Sequence, residues 1–303
     1  MKTFISGWYA ILPSRDVKTY KPKGIVRFGI PLVLWRDDKK RIIVMQDRCP
    51  HRGAKLSLGK ICKAQLRCPY HGYQFKTDGE CSYAPEFSRA LPGLTVTTFA
   101  AKEAIGMIWI KYGTADNFAY PELQQLHSSF QEHYSQTQRC WNSHITYCIE
   151  NQLDYTHLKY VHHNTIGKGF KLPTQPRYEY REDSIRIFFH GDRPVLTYYF
   201  PNTWILNISE KMKVLIFFSP INETETLLYL RTYRNFLNLR LVKPLVDSIM
   251  KISNRIILRQ DEKVVRSQGT FPSYLAKDDK LLKHDAAIRY FRTRWCERLS
   301  LEK

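Results

Sequence analysis

The chain has 303 residues and a formal charge of +19, from 47 lysines and arginines against 28 aspartates and glutamates. Its seven cysteines are an odd number in a chain too long to need disulfide bonds for stability, which excludes a small secreted disulfide scaffold. Aromatic residues make up 14%, which argues against disorder, and the length predicts two domains.

Targeting and nucleotide-binding signals are missing from the sequence. Residues 1–12 lack a basic region followed by an apolar run, so we expect no signal peptide and a cytoplasmic protein. No apolar stretch reaches the roughly 18 residues of a membrane-spanning helix, so we expect no membrane span. No glycine-rich loop follows a predicted strand, and we therefore expect no nicotinamide or flavin bound by this chain itself.

Short strands are predicted for residues 1–115. Residues 41–45 and 106–111 are rich in strand-forming side chains. Asp78 and Gly79 lie between residues 73–75 and 81–83, which is a strong signal for a hairpin. We predict that residues 1–115 form an all-β domain.

Two short metal-ligand patterns lie within this first domain. Cys49 and His51 form one pair, and Cys68 and His71 form the next. Two cysteines and two histidines can bind zinc, and the residue types alone leave that possibility open. However, the segments 49–54 (CPHRGA) and 68–73 (CPYHGY) resemble the two cluster-binding loops of Rieske iron–sulfur proteins. The resemblance implies a 2Fe–2S cluster with two cysteines on one iron and two histidines on the other. Tyr73 stands where many members of that family have tryptophan.

The second part of the chain has a different pattern. Residues 117–138 are polar and are predicted to form a linker with a short helix. Strands are predicted at 184–190, 195–200, 213–219 and 226–233, and helices at 237–267 and 280–299. The predicted fold class is therefore α+β, with an all-β domain at 1–115. Residues 116–303 are predicted to form a second domain in which helices cover an antiparallel sheet, as in a helix-grip fold.

A second constellation begins at Asn151. Asn151, Asp154 and His157 recur every three residues, which predicts that they share one face of a helix. His162 lies off that face, so the helix must loosen or end if both imidazoles bind one ion. Two histidines and a carboxylate form the ligand set of mononuclear non-haem iron. The alternative is an amphipathic helix with two exposed histidines.

This segment resembles the Asn-x-x-Asp-x-x-His-x-x-x-x-His motif of Rieske non-haem iron oxygenases. The resemblance implies that residues 116–303 are the catalytic domain with a mononuclear iron. It implies that Asp261 is the third iron ligand, with Glu262 the weaker choice. It also implies that Asp154 is a bridge for electron transfer between subunits of a homotrimer, and that Asn151 supports the iron site.

The resemblance covers nearly the whole chain and is greatest to oxygenase subunits of the vanillate O-demethylase type, within the ring-hydroxylating oxygenases. It implies a mono- or dioxygenase that hydroxylates or oxidatively demethylates a small aromatic or apolar organic substrate. Dioxygen would be the co-substrate, and a separate ferredoxin or flavin reductase would supply electrons. The alternative is a Rieske electron-transfer protein with a non-catalytic second domain.

The positive charge is concentrated in the first part of the chain. Residues 1–115 contain 20 basic and 8 acidic residues, a net of +12, and the remainder contains 27 and 20, a net of +7. We interpret this charge as a docking surface for an acidic electron donor, or as ordinary surface solvation. No nucleic-acid-binding motif accompanies it, so we expect no nucleic-acid partner.

Overall fold

The computed structural model describes residues 3–114, 118, 121–130, 133–239 and 241–301. The chain divides into two compact units. The N-terminal unit is Trp8–Tyr112, and the C-terminal unit combines the described parts of Met1–Gly7 and Gly113–Lys303. The first residues join the C-terminal unit because the Trp295 indole donates a hydrogen bond to the Thr3 carbonyl at 3.2 Å. The boundary predicted between residues 115 and 116 falls outside the described residues.

The N-terminal unit is built from strands in three sheets, as far as its residues are described. Their orders are β1-β12-β11, β10-β4-β3-β2 and β5-β6-β7-β8-β9. The strands are β1 (Gly7–Pro13), β2 (Lys23–Arg27), β3 (Ile30–Arg36), β4 (Ile42–Gln46), β5 (Lys60–Cys62), β6 (Gln65–Arg67), β7 (Gln74–Phe75), β8 (Glu80–Ala84), β9 (Arg89–Thr95), β10 (Thr98–Phe99), β11 (Ala101–Ala104) and β12 (Met107–Tyr112). The all-β prediction is confirmed, including the hairpin of β7 with β8.

A compact core holds this unit together. Trp35, Met45 and Phe75 are fully buried in one cluster that also contains Cys49 and Cys68. Removing such side chains from water is the main source of stability in a fold of this size. The Cys49 loop follows β4, and the Cys68 loop joins β6 to β7, so both loops start from strands anchored in the core.

The C-terminal unit contains one seven-stranded antiparallel sheet, in the order β13-β19-β18-β17-β16-β15-β14. Its strands are β13 (Tyr134–Trp141), β14 (Arg177–Tyr180), β15 (Ser184–Phe188), β16 (Leu196–Tyr199), β17 (Thr203–Ser209), β18 (Met212–Pro220) and β19 (Thr226–Arg234). The described helices of the unit are α1 (Pro121–Ser129), α2 (Ile145–Leu153), α3 (Leu158–Val161), α4 (Lys243–Gln268) and α5 (Ala286–Ser300). The α+β class is confirmed.

Helices α2 and α4 pack on the same face of this sheet. The Trp204 indole on β17 donates to the Gln152 carbonyl on α2 at 2.9 Å. The Asn254 amide on α4 donates to the Thr232 hydroxyl on β19 at 2.9 Å. Ile216 of β18 pairs with Trp204 on β17 and with Leu230 on β19, so these three side chains point to the same face of the sheet. Thr232 is two residues beyond Leu230 and lies on that face too, because side chains alternate along a strand. The predicted cover of helices over the sheet is therefore observed.

The prediction of a linker at 117–138 was wrong in its last part. Strand β13 begins at Tyr134 and pairs with β19 over its whole length. The polar Gln136 in this strand accepts a hydrogen bond from the buried Arg231 guanidinium at 2.8 Å. A strand that uses polar side chains in this way shows no alternation of apolar residues in its sequence. Strands β14 and β17 were also missed. Of the predicted linker, residues 117, 119–120 and 131–132 lie outside the described residues.

None of the helices in the described part of the chain combines the length and the hydropathy that a bilayer crossing requires.

Candidate metal centres

The two cysteine–histidine loops have the same backbone turn. In the first loop the Gly53 amide donates to the Cys49 carbonyl at 2.8 Å, and in the second the Gly72 amide donates to the Cys68 carbonyl at 3.2 Å. The two glycines have φ of 75° and 77°. Glycine occupies this left-handed region without the steric cost that other residues pay. The similar sequences of the loops therefore encode two matching turns.

The four predicted cluster ligands form two unlike pairs. Cys49 and Cys68 are buried, with 2% and 3% of their surface exposed. His51 is exposed and His71 is half-buried, and the centroids of their rings are 4.7 Å apart. Burial, together with the neighbouring Cys68 thiol, raises the pKa of Cys49 to about 11. Two adjacent buried thiols become thiolates when a metal supplies positive charge, so this chemistry fits a cluster with sulfur ligands inside and imidazoles outside.

Contacts around the loops hold this arrangement in place. The Tyr73 ring is buried and stacks on His51, with centroids 4.8 Å apart and an angle of 21° between the planes. The carboxylate of Asp47 accepts hydrogen bonds from the Ser57 amide at 2.7 Å and hydroxyl at 2.6 Å, which closes the base of the first loop. An aromatic residue at position 73 therefore packs directly on a predicted ligand.

The second motif is divided between two helices. Helix α2 ends at Leu153, and His157 and His162 flank the four-residue helix α3. The prediction that Asn151, Asp154 and His157 share one helical face was therefore wrong, although the expected end of the helix before His162 is observed. The Asp154 carboxylate accepts from the Thr156 amide at 2.8 Å and hydroxyl at 2.5 Å. This local turn competes with a continuous helix.

Three potential metal ligands converge at this interruption. The ligand atoms of His157, His162 and Asp261 all lie within 4.8 Å of one another. Oδ1 of Asp261 is 2.9 Å from Nε2 of His162 and 3.4 Å from Nε2 of His157. Within the described part of the chain, this buried oxygen has no hydrogen bond of acceptable geometry. Such a donor set fits a divalent metal, and its two imidazoles and one carboxylate suit non-haem iron.

Each histidine is held through its other ring nitrogen. Nδ1 of His157 bonds to the main-chain carbonyl of Asp154, and Nδ1 of His162 lies 2.8 Å from Oε1 of Gln260. Because both acceptors are oxygens, Nδ1 carries the proton and Nε2 keeps its lone pair for a metal. Burial opposes the charged form of His162, but its contacts with Asp261 and Gln260 outweigh burial and raise its pKa.

The long helix α4 presents Asp261 to the histidines. Its buried side chains are Asn254, Leu258, Asp261 and Val265, which form one stripe at helical spacing. Glu262, one position further, points elsewhere and forms an ion pair with Arg139. The geometry thus favours Asp261 over Glu262 as a ligand.

Two glutamines near the predicted ligands were missed from the sequence. Nε2 of Gln152 lies 2.6 Å from Oδ1 of Asn151 and 3.4 Å from Oδ2 of Asp261. Asn151 therefore reaches the site through Gln152. Gln260 also accepts from the Thr165 hydroxyl at 3.1 Å. Gln260 could have been identified from the sequence as a polar residue directly before the predicted ligand Asp261.

Helix α2 is fixed at both ends by buried polar groups. At its start His144 accepts from the Thr146 amide at 3.3 Å, and burial lowers the pKa of His144 to about 3. Towards its end, the buried Glu150 carboxylate accepts two hydrogen bonds of 2.8 Å from Arg292 on α5. These contacts set the position of the segment that continues into His157.

Comparison with known proteins identifies two family domains in the chain. Residues 7–100 match the Rieske 2Fe–2S domain, and residues 141–204 match the vanillate O-demethylase oxygenase C-terminal domain. The chain therefore combines a Rieske 2Fe–2S domain with a C-terminal domain of the vanillate O-demethylase oxygenase type. The Rieske domain implies a 2Fe–2S cluster, and His157, His162 and Asp261 form a group whose geometry suits a mononuclear iron.

Curated relatives match part of their length. Chlorophyllide a oxygenase of Chlamydomonas reinhardtii is 34% identical over 48% of this chain and 22% of its own length. The oxygenase component of chloroacetanilide N-alkylformylase from Rhizorhabdus wittichii is 30% identical over 60% of this chain and 53% of its own. The chain thus spans between about a fifth and a half of these relatives.

A solved structure shares the fold along the whole chain. Dicamba monooxygenase bound to dicamba is 20% identical, covers 99% of both chains and gives a TM-score of 0.82. At this identity the match establishes the common fold.

Proposed function

We propose that this chain is the oxygenase component of a Rieske monooxygenase system. It would use dioxygen to hydroxylate or oxidatively demethylate a small organic substrate. The convergence of His157, His162 and Asp261 carries this proposal. A second domain that served only for interaction would have no need for three converging ligands, one of them a buried carboxylate oxygen without a hydrogen bond. This argues against a pure electron-transfer protein.

The side chains of the site prepare it for this chemistry. When bound, the cluster supplies electrons one at a time and the mononuclear iron provides a site for activating dioxygen. Gln260 and the Asp154 carbonyl orient the two imidazoles, and the burial of His162 and Asp261 keeps bulk water from their donor atoms. Three protein ligands leave further coordination positions open.

An aromatic cluster beside His157 supports an apolar or aromatic substrate. The Tyr155 ring contacts Phe189 at a centroid distance of 5.0 Å, and Phe189 contacts Phe170 at 6.2 Å. The proteins compared above are named for chlorophyllide, a chloroacetanilide and dicamba, which are organic molecules of this broad kind. The Tyr155 side of the iron site is therefore the proposed substrate wall.

A separate ferredoxin or flavin reductase is the proposed electron donor, with both proteins in the cytoplasm. Lys55, Lys60 and Lys63 lie between the two cluster loops and are exposed, so they offer positive charge close to the redox centre. Complementary charge accelerates encounter with an acidic partner and is screened by salt. Turnover should therefore fall as salt rises and recover when donor protein is added in excess.

Electron transfer between subunits of a homotrimer is the proposed role of Asp154. Its carboxylate would bridge the iron site to His71 of the partner subunit. Among the hydrogen bonds of the described residues, His157 reaches Asp154 through the main-chain carbonyl, whereas the Asp154 carboxylate accepts from Thr156 and keeps capacity for a further donor. Asp154→Ala should leave both metals bound and largely stop turnover, whereas normal turnover in this variant would exclude the bridge.

The experiment that tests the activity is a substrate screen of the iron-loaded protein with a surrogate reductase. We expect a hit to give substrate-dependent dioxygen uptake, together with a product heavier by one oxygen or lacking a methyl group. A protein that accepts electrons into its cluster and contains full iron, yet consumes no dioxygen with any member of a broad aromatic and apolar panel, would favour the electron-transfer alternative.

A further inference from the structure

Helix α4 has a second apolar face, directly opposite the one that packs on the sheet. Leu245, Ile249, Ile252 and Ile256 follow one another at helical spacing and are 64%, 55%, 57% and 47% exposed. At 100° per residue they lie on the side away from the buried stripe that contains Asp261. This face is therefore apolar without being part of the core.

The segment just before the helix also contains exposed aliphatic side chains. Leu237, Leu239 and Leu241 are 54%, 72% and 92% exposed. We call the three leucines together with Leu245, Ile249, Ile252 and Ile256 the outer stripe. Single exposed apolar residues are common, but seven large exposed aliphatic side chains within residues 237–256 are typical of an interaction surface.

Unpaired basic side chains border the outer stripe. Lys251, Arg255 and Arg259 are exposed, and no carboxylate of the described residues lies within ion-pair distance of them. Asp247, the one acidic residue between Lys243 and Gln260, is occupied by Arg234 and Lys243 at 2.7 Å each. The face is thus apolar in the middle and positive at its edge.

We propose that the outer stripe docks on the surface of an anionic membrane. An aliphatic helix face bordered by lysine and arginine is the pattern of helices that lie in the headgroup region, where apolar side chains insert and cations meet lipid phosphates. Protein interfaces instead favour aromatic residues and are depleted in lysine, and the stripe contains no aromatic side chain. Helix α4 would lie on the bilayer without crossing it.

Flotation of the full-length, cluster-containing protein with vesicles tests this proposal without any measurement of turnover. We expect binding to vesicles of phosphatidylcholine with phosphatidylglycerol, and much weaker binding to phosphatidylcholine alone. Ile249→Gln with Ile252→Gln should weaken binding by at least about tenfold, because two inserted aliphatic side chains are lost. Lys251→Gln with Arg255→Gln should weaken it on the order of tenfold, and salt should have a similar effect.

A matched control separates the stripe from general hydrophobicity. Leu58→Gln with Leu301→Gln changes two leucines that are 73% and 83% exposed elsewhere, and it should bind like the wild type. Glutamine suits exposed helical positions, so the α4 variant should fold, as circular dichroism can verify. The proposal is overturned if wild-type protein does not bind anionic vesicles or if the α4 variant binds equally well. It is also overturned if the variant dissociates an oligomer that itself does not bind vesicles, since a second copy of the chain would then cover the stripe.

Discussion

The groups expected to bind the cluster lie on two short loops of the N-terminal unit, whereas those of the iron site come from two distant segments of the C-terminal unit. Within each loop the ligands are separated by one or two residues, and a local turn sets their positions. At the iron site Gln152 and Asp261 meet although they are 109 positions apart. A site built from local turns depends on few contacts, while a site built by packing depends on every contact that fixes its helices.

The largest effect should follow loss of the carboxylate that α4 brings to the iron site. Asp261→Ala should reduce turnover by at least about a hundredfold, since the metal loses one of three protein ligands. Iron should fall from about three to about two atoms per chain, with the visible spectrum of the cluster unchanged. Glu262→Ala is the matched control and should keep its iron. If Asp261→Ala retained full iron, the ligand assignment would be wrong.

Replacing Arg292, the partner of buried Glu150, should destabilise the C-terminal unit and leave the stability of the N-terminal unit unchanged. Arg292→Met should lower the free energy of unfolding of the C-terminal unit by about 3–5 kcal/mol, because the carboxylate stays buried without the two hydrogen bonds from Arg292 and retains the one from Ser273. Denaturant unfolding followed by circular dichroism measures this change, while the absorbance of the cluster reports on the other unit. Adding Glu150→Leu should restore much of the loss. Arg266→Met, which removes an exposed arginine of α4, should have little effect.

The contact between Gln260 and His162 tests how much the iron site depends on residues that do not touch the metal. Gln260→Leu should weaken iron binding by about 10–100-fold, since His162 loses the acceptor that orients its ring. Competition with a chelator measures the affinity. Gln260→Glu keeps an oxygen acceptor and should recover most of it, and Gln268→Leu at the exposed end of α4 should be neutral. An unchanged affinity in Gln260→Leu would show that packing alone orients His162.

The smallest effect concerns pH and the start of α2. Burial lowers the pKa of His144 to about 3, so His144 is uncharged in the folded protein. Below about pH 6.5 the unfolded chain binds a proton there that the folded chain does not, so stability falls as pH falls. The loss should reach about 2 kcal/mol between pH 6.5 and pH 5. His144→Asn keeps an acceptor at the helix start and should remove this part of the slope. His190→Asn at an exposed position should keep it.

The fold class, the cluster loops and most of the ligand candidates could be predicted from the amino-acid pattern alone. The four predicted cluster ligands could be identified because the two ligands of each loop are close together in sequence and a glycine follows at the turn. They are Cys49, His51, Cys68 and His71. The hairpin at Asp78 and the strand at 41–45 were predictable for the same reason, since their patterns are local. The resemblance of the second motif to that of Rieske oxygenases then indicated Asp261.

The assembly of the iron site could not be predicted from the sequence, because it depends on long-range packing. In the structure helix α2 ends before Asp154, and Gln152 and Gln260 lie beside the predicted ligands. Glu262 points away from the site and forms an ion pair with Arg139. The polar strand β13 lies next to β19, where Gln136 accepts a hydrogen bond from the buried Arg231. These features depend on side chains that are far apart in sequence and that satisfy one another's hydrogen bonds when buried. The local periodicity of the sequence does not reveal such pairs.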